Sequence, residues 1–100
     1  MMEFFKTTDV VVIGGGIVGT AILRELSKYD LQCVLVEKEP DLAAGTTKAN
    51  SAILHAGFDA PIGSLKALTN VRGNELYHQL HRELGLDIEW TGSLVAATSE

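Results

Sequence analysis

A single cysteine, Cys33, is all the thiol the sequence contains, and it sits inside an apolar run. No internal disulfide can form, which points to a reducing, cytoplasmic compartment. Cys33 itself reads as core, because buried cysteine behaves as a small hydrophobe. Basic clusters are missing as well. The eight Lys and Arg are scattered and the formal net charge is -5, which argues against a nucleic-acid partner. Nor is there an apolar run near the roughly 20 residues that a bilayer crossing needs. The strongest, Val10 to Val18, is broken by three glycines, and with Asp9 before it and no cleavage-like site after it, it does not read as a signal peptide. The chain reads as soluble, with peripheral membrane association left open. Internal repeats, low-complexity tracts and linkers are absent, and no metal site is assigned.

What is present is the composition of a folded domain: 46% apolar and 21% charged over 100 residues, enough for one small domain. Val10-Val11-Val12-Ile13 is a β-branched run ending in glycine, the pattern of a strand buried on both faces. From Ile17 the period changes. Ile17, Ala21, Ile22 and Leu26 recur at helical spacing, with Arg24, Glu25 and Lys28 opposite, and this helix should fade near Tyr29-Asp30. Cys33-Val34-Leu35-Val36 reads as a second buried strand, closed by Glu37. Together these make a βαβ unit. A polar, turn-rich stretch follows, Gly45 to Ser51. Ser64 should cap a helix over Leu65 to Leu84, with a partial stripe of Leu65, Leu68, Leu76, Leu80 and Leu84 and with Gly85 to end it. Gly73 inside that helix marks a bend or close packing. Ser93 to Thr98 has strand character.

Gly14-Gly15-Gly16-Ile17-Val18-Gly19 fits G-x-G-x-x-G. Alone the pattern is weak, but here it follows a buried strand and opens a helix, the context that gives it meaning. Gly14 permits the sharp turn, Gly16 lets the backbone approach a pyrophosphate, and Gly19 lets helix and strand pack closely. The helix start offers unpaired N–H groups and a partial positive charge to phosphates, so no basic side chain is needed. Glu37, at the end of the second strand, stands where this fold places an acid. A carboxylate there accepts from a ribose diol and repels a 2′-phosphate. The bland alternative is a βαβ unit whose glycines only turn the chain and whose Glu37 is a solvated strand end. Dinucleotide binding is the preferred reading, and the unit alone does not separate NAD from FAD.

Further segments carry a resemblance. Val36-Glu37-Lys38-Glu39, Gly45-Thr46-Thr47-Lys48-Ala49-Asn50-Ser51, Leu54-His55-Ala56-Gly57-Phe58-Asp59, Gly63-Ser64-Leu65-Lys66-Ala67 and Gly92-Ser93-Leu94-Val95-Ala96 continue the glycine motif. With it they make the chain resemble the FAD-dependent oxidoreductases of the D-amino-acid oxidase superfamily. Within it the likeness is to the glycerol-3-phosphate dehydrogenases and oxidases, with the L-2-hydroxyglutarate dehydrogenases as near relatives. The resemblance implies an α/β fold, the N-terminal portion of a Rossmann-type FAD-binding domain: βαβ unit, polar flavin loop, long helix and a further strand. It implies FAD contacts at Gly14, Gly15, Gly16, Ile17, Val18 and Gly19, at Glu37 and Lys38, and at Thr46, Thr47, Asn50 and Ser51. His55 matches the position that takes the hydroxyl proton while hydride leaves carbon for flavin N5, work that suits an imidazole with an unperturbed pKa of about 6.5. Read from its neighbours alone, His55 would be a packed residue bonded to backbone. His78 and His81 read as surface residues of the long helix, and Lys48 as a solvated loop lysine rather than a phosphate contact.

Two departures are small: relatives often carry glycine where this chain has Ala52, and Thr46-Thr47 is commonly Thr-Ser. The larger one is length. Enzymes of this type add a substrate domain, so the expectation is that residues 1–100 are the N-terminal part of an FAD-binding domain, inactive alone. Two parallel strands and one long helix should leave apolar sheet faces and an edge uncovered. The expected function is hydride transfer from a small hydroxy compound to flavin, with sn-glycerol 3-phosphate as first substrate candidate, L-2-hydroxyglutarate as second, and oxygen, quinone or another carrier as acceptor. The alternatives are an NAD-dependent dehydrogenase, disfavoured by the irregular loop after Glu37, and a non-catalytic truncated dinucleotide-binding protein.

Overall fold

The computed structural model describes residues 7–99. They fall into two compact units, Met1–Ser51 and Ala52–Glu100. In the first, β1 (Val10–Ile13) and β2 (Cys33–Val36) pair in parallel, with Val10 opposite Cys33 and Ile13 opposite Val36. α1 (Ile17–Leu26) joins them and packs on the pair. β-branched side chains favour the pleated backbone of β1. The register is pinned at both ends. Gly14 N–H donates to the Val36 carbonyl at 2.8 Å, and Gln32 N–H donates to the Asp9 carboxylate at 2.8 Å.

Successive strand residues point to opposite faces, and the two faces differ in cover. Val12, on the α1 side, is 8% exposed, the only buried apolar residue among those described. Val11, Ile13, Val34 and Val36 share the other face and stay exposed, Ile13 at 86%. The strands that read as buried on both faces are thus covered on one. The physical reason is that α1 supplies a single layer, and among the described residues of this unit nothing lies on the second face. α1 also ends earlier than its pattern predicts. Past Leu26 the backbone tightens, Lys28 N–H bonding to Glu25 and Tyr29 N–H to Leu26, and Ser27 Oγ donates to the Arg24 carbonyl at 2.6 Å.

The second unit is built on α2 (Leu65–Leu84). Ser64 Oγ accepts from Ala67 N–H at 3.1 Å, and Gly85 closes the helix in the left-handed conformation at φ 62°. The helix runs unbroken through Gly73, where a Cβ would meet nothing within 4 Å, so glycine there answers no packing need. The leucine stripe is mostly exposed, with only Leu80 half-buried. His78 stacks face to face on Trp90 at 4.0 Å and His81 meets the same ring edge-on at 5.9 Å. His78 is exposed, as its sequence position suggests, but the reading of His81 as a surface residue is corrected: it is half-buried, and its Nδ1 is shielded without a hydrogen-bond partner among the described residues. Residues 93–98 form no strand, which corrects the further strand expected from Ser93 to Thr98. Strand propensity is realised only against a partner ladder, and among the described residues none pairs with this segment.

Candidate functional site

The glycine turn between β1 and α1 organises the first unit. Gly14 has φ +104°, a left-handed value that L side chains rarely adopt. Gly19 faces back onto the turn: a Cβ there would stand 1.9 Å from the Gly14 carbonyl oxygen. Gly16 is the N-cap of α1 and has no side chain with which to cap it. The missing cap arrives from the loop after β2, where Thr47 Oγ1 accepts the Ile17 N–H at 2.9 Å. One of the orphan donors of the helix start is thereby satisfied from 30 positions away in sequence. Ala43 N–H donates to the Gly15 carbonyl at 2.9 Å, pinning the same loop to the turn.

Glu37 follows β2 directly and is half-buried. Its Oε2 accepts the Gly15 N–H at 2.7 Å and its Oε1 the Glu39 N–H at 3.0 Å. The Glu39 and Gly15 amides, helped by the Lys38 charge, hold this carboxyl below the usual carboxylate range. An ionised carboxylate has about four lone-pair sites. Two are used here, which leaves acceptors free for a pair of hydroxyls.

Two hollows adjoin over the turn. One of about 800 Å³ is lined by β1, Gly14, Gly16, Ile17, Val18, Gly19, Thr46, Thr47 and Asn50, and the other, about 480 Å³, by Gly14, Gly15, Gly16, Glu37, Lys38, Thr46 and Thr47 among others. They share Ile13, Gly14, Gly16, Thr46 and Thr47. The fold therefore brings together every residue expected to touch cofactor except Ser51, which lines neither hollow. Asn50 has a structural task besides: its Nδ2 donates to the Thr46 and Thr47 carbonyls at 3.1 and 2.8 Å, shaping the loop that carries Thr47. Leu42 went unforeseen. Its Cδ2 lies 2.5 Å from where a Gly15 Cβ would stand, and no local sequence signal marks it.

An extended dinucleotide suits this cradle. Backbone N–H groups and a helix start favour the pyrophosphate, the absence of Cβ atoms admits it, and the Glu37 acceptors suit a ribose diol.

His55 belongs to the second unit and is exposed. Its carbonyl accepts from Asn74 Nδ2 at 3.1 Å, while its imidazole makes no hydrogen bond among the described residues. Two residues on, Gly57 has φ +109° and lies so close to α2 that a Cβ would stand 2.7 Å from Val71 Cγ2. Ala52 has φ 55°, a left-handed conformation that costs an L side chain energy and suits glycine better.

Comparison with known proteins adds to this geometry. Residues 9–100 match the family described as FAD dependent oxidoreductase. A glycerol 3-phosphate dehydrogenase of Caloramator mitchellensis is 53% identical over 89 residues, 89% of this chain and 18% of that protein. A glycerol 3-phosphate oxidase of Mycoplasma pneumoniae is 38% identical over 96 residues, 95% of this chain and 25% of that protein. A mitochondrial L-2-hydroxyglutarate dehydrogenase of Caenorhabditis briggsae is 39% identical over 94 residues, 92% of this chain and 22% of that protein. The chain thus spans between 18% and 25% of the length of these relatives. No solved structure matches it.

Proposed function

The chain belongs to the FAD dependent oxidoreductase family, and from that premise we propose that it supplies the FAD cradle and the proton-accepting histidine of an enzyme that oxidises a small hydroxy compound. Sn-glycerol 3-phosphate is the favoured substrate. The observation that carries the reading is the convergence of Gly14 to Gly16, Glu37 and Thr47 on two adjoining hollows. Likeness to the Caloramator mitchellensis glycerol 3-phosphate dehydrogenase favours the substrate. L-2-hydroxyglutarate is the second candidate, favoured by the Caenorhabditis briggsae relative.

When bound, FAD supplies an acceptor for the hydride that leaves a carbinol carbon. The chain's own groups do the rest. Gly16 lets the backbone approach the pyrophosphate, Gly15 leaves room for Leu42 and Glu37 beneath the turn, the α1 start stabilises the phosphate charge, and Glu37 holds the ribose hydroxyls. Lys38, Thr46, Thr47, Asn50 and Ser51 border or shape the remaining contact surface. His55 takes the substrate hydroxyl proton on an imidazole nitrogen as the carbon is oxidised to a carbonyl.

The test is anaerobic mixing of the purified full-length, FAD-loaded enzyme that contains this chain with each substrate while the visible flavin band is followed. Bleaching by glycerol 3-phosphate supports the favoured reading, and bleaching by L-2-hydroxyglutarate alone selects the second. A flavin that neither substrate bleaches refutes both. Readmitting oxygen then separates an oxidase, whose colour returns, from a dehydrogenase, whose colour stays low without another carrier.

A further inference from the structure

The imidazole of His55 is exposed and has no hydrogen-bonded orienter among the described residues. A histidine that moves a proton is ordinarily held in place by a bond to its second nitrogen. Among the described residues the polar anchor of His55 is on its backbone carbonyl, and it comes from α2. Resting on the proposed role of His55, we infer that Asn74 is a positioning residue, fixing the peptide that carries the histidine so that its imidazole is presented for proton transfer.

Three observations meet in this assignment. Asn74 Nδ2 donates to the His55 carbonyl at 3.1 Å, across 19 positions of sequence. Gly57 is seated on the same helix, with Val71 Cγ2 2.7 Å and Asn70 Oδ1 3.4 Å from the place of its missing Cβ. Asn70, Val71 and Asn74 are spaced so that they share one face of α2. Anchors on both sides of Ala56 leave the backbone leaving His55 little freedom, and the helix beneath is capped at both ends.

The chemistry also selects asparagine. A carbonyl needs a donor, and the amide has one with the right reach. Aspartate at 74 would set an ionised acceptor against the carbonyl oxygen, and alanine would leave the carbonyl to solvent. Asparagine is also a poor helix former compared with alanine, so helix stability alone does not call for it.

The full-length, FAD-loaded enzyme that contains this chain should be compared with its Asn74→Ala, Asn74→Asp, Asn74→Gln and His55→Asn variants, on whichever of glycerol 3-phosphate and L-2-hydroxyglutarate bleaches the unmodified flavin. The readouts are kcat, KM, flavin content and amide hydrogen exchange over residues 54–58. Asn74→Ala should lower kcat about 10- to 100-fold, the range that a misplaced catalytic group produces, with KM and flavin content kept and exchange accelerated. Asn74→Asp should be worse, and Asn74→Gln should recover most of kcat. Unchanged kcat in Asn74→Ala beside a collapse in His55→Asn overturns the positioning role and leaves the histidine's role standing. Parallel loss of flavin and turnover, unrescued by Asn74→Gln, makes Asn74 merely structural and overturns the inference too. Full turnover in His55→Asn removes the base itself, and the positioning role falls with it.

Discussion

Gly19→Ala puts the geometry of the cradle to a direct test, because two effects of known size oppose each other. Alanine in place of glycine inside a helix gains about 1 kcal/mol of helix propensity. Against this, the new Cβ would stand 1.9 Å from the Gly14 carbonyl oxygen and 3.1 Å from its carbon. Neither atom can step aside, since Gly14 N–H is bonded to Val36 and its φ is already in the left-handed range. Relief requires α1 and the turn to part by about 1.5 Å, from 1.9 Å to the 3.4 Å at which ordinary contact begins. Overpacking of a yielding core costs about 1–3 kcal/mol, and a backbone clash belongs at or above the top of that range. The clash should win, with a net loss of about 2 kcal/mol or more once propensity is credited. Separating α1 from the turn also draws Ile17 N–H away from Thr47, so FAD retention should fall along with stability. The assay is urea unfolding followed by flavin release, with Gly73→Ala as the control. At Gly73 a Cβ meets open space, and the same substitution should stabilise by about 1 kcal/mol. A Gly19→Ala protein with an unchanged urea midpoint and normal flavin content would refute the close approach of helix and turn.

Other perturbations have equally definite signs. Ala52→Gly should raise the melting temperature, because a left-handed alanine is strained by roughly 1–2 kcal/mol and glycine returns only part of that in unfolded-state entropy; a fall in melting temperature would contradict the φ of 55°. Thr47→Val removes the acceptor for Ile17 N–H while keeping the shape of the side chain, and should cost about 1 kcal/mol of stability in FAD-free protein, whereas Thr47→Ser should cost much less. Glu37 sets a pH dependence. Its pKa is lowered in the folded protein, so its contribution is fully present above the ordinary glutamate pKa of about 4.3 and is lost as pH falls through the lowered value. Unfolding measured across that acid range should show this limb in the unmodified protein and a flatter one in Glu37→Gln, and identical profiles would remove Glu37 from the balance.

Local pattern determined much of this protein. The β-branched run and the apolar run around Cys33 each specified a strand without help, and Ser64 and Gly85 specified both ends of α2, because capping and period act over a few residues. The glycine motif and Glu37 were legible because a phosphate-binding turn demands those residue types at that spacing. What tertiary structure alone decided involves partners distant in sequence. Whether 93–98 becomes a strand depends on a neighbouring ladder. The cap of α1 comes from Thr47, the Gly15 amide finds Glu37, and the carbonyl of His55 finds Asn74 19 positions ahead. Sequence spacing carries no signal for these bonds. They exist because the β1–β2 pairing brings the loop after β2 over the glycine turn, and because α2 meets the loop at His55 to Gly57 through a glycine that leaves room for its backbone.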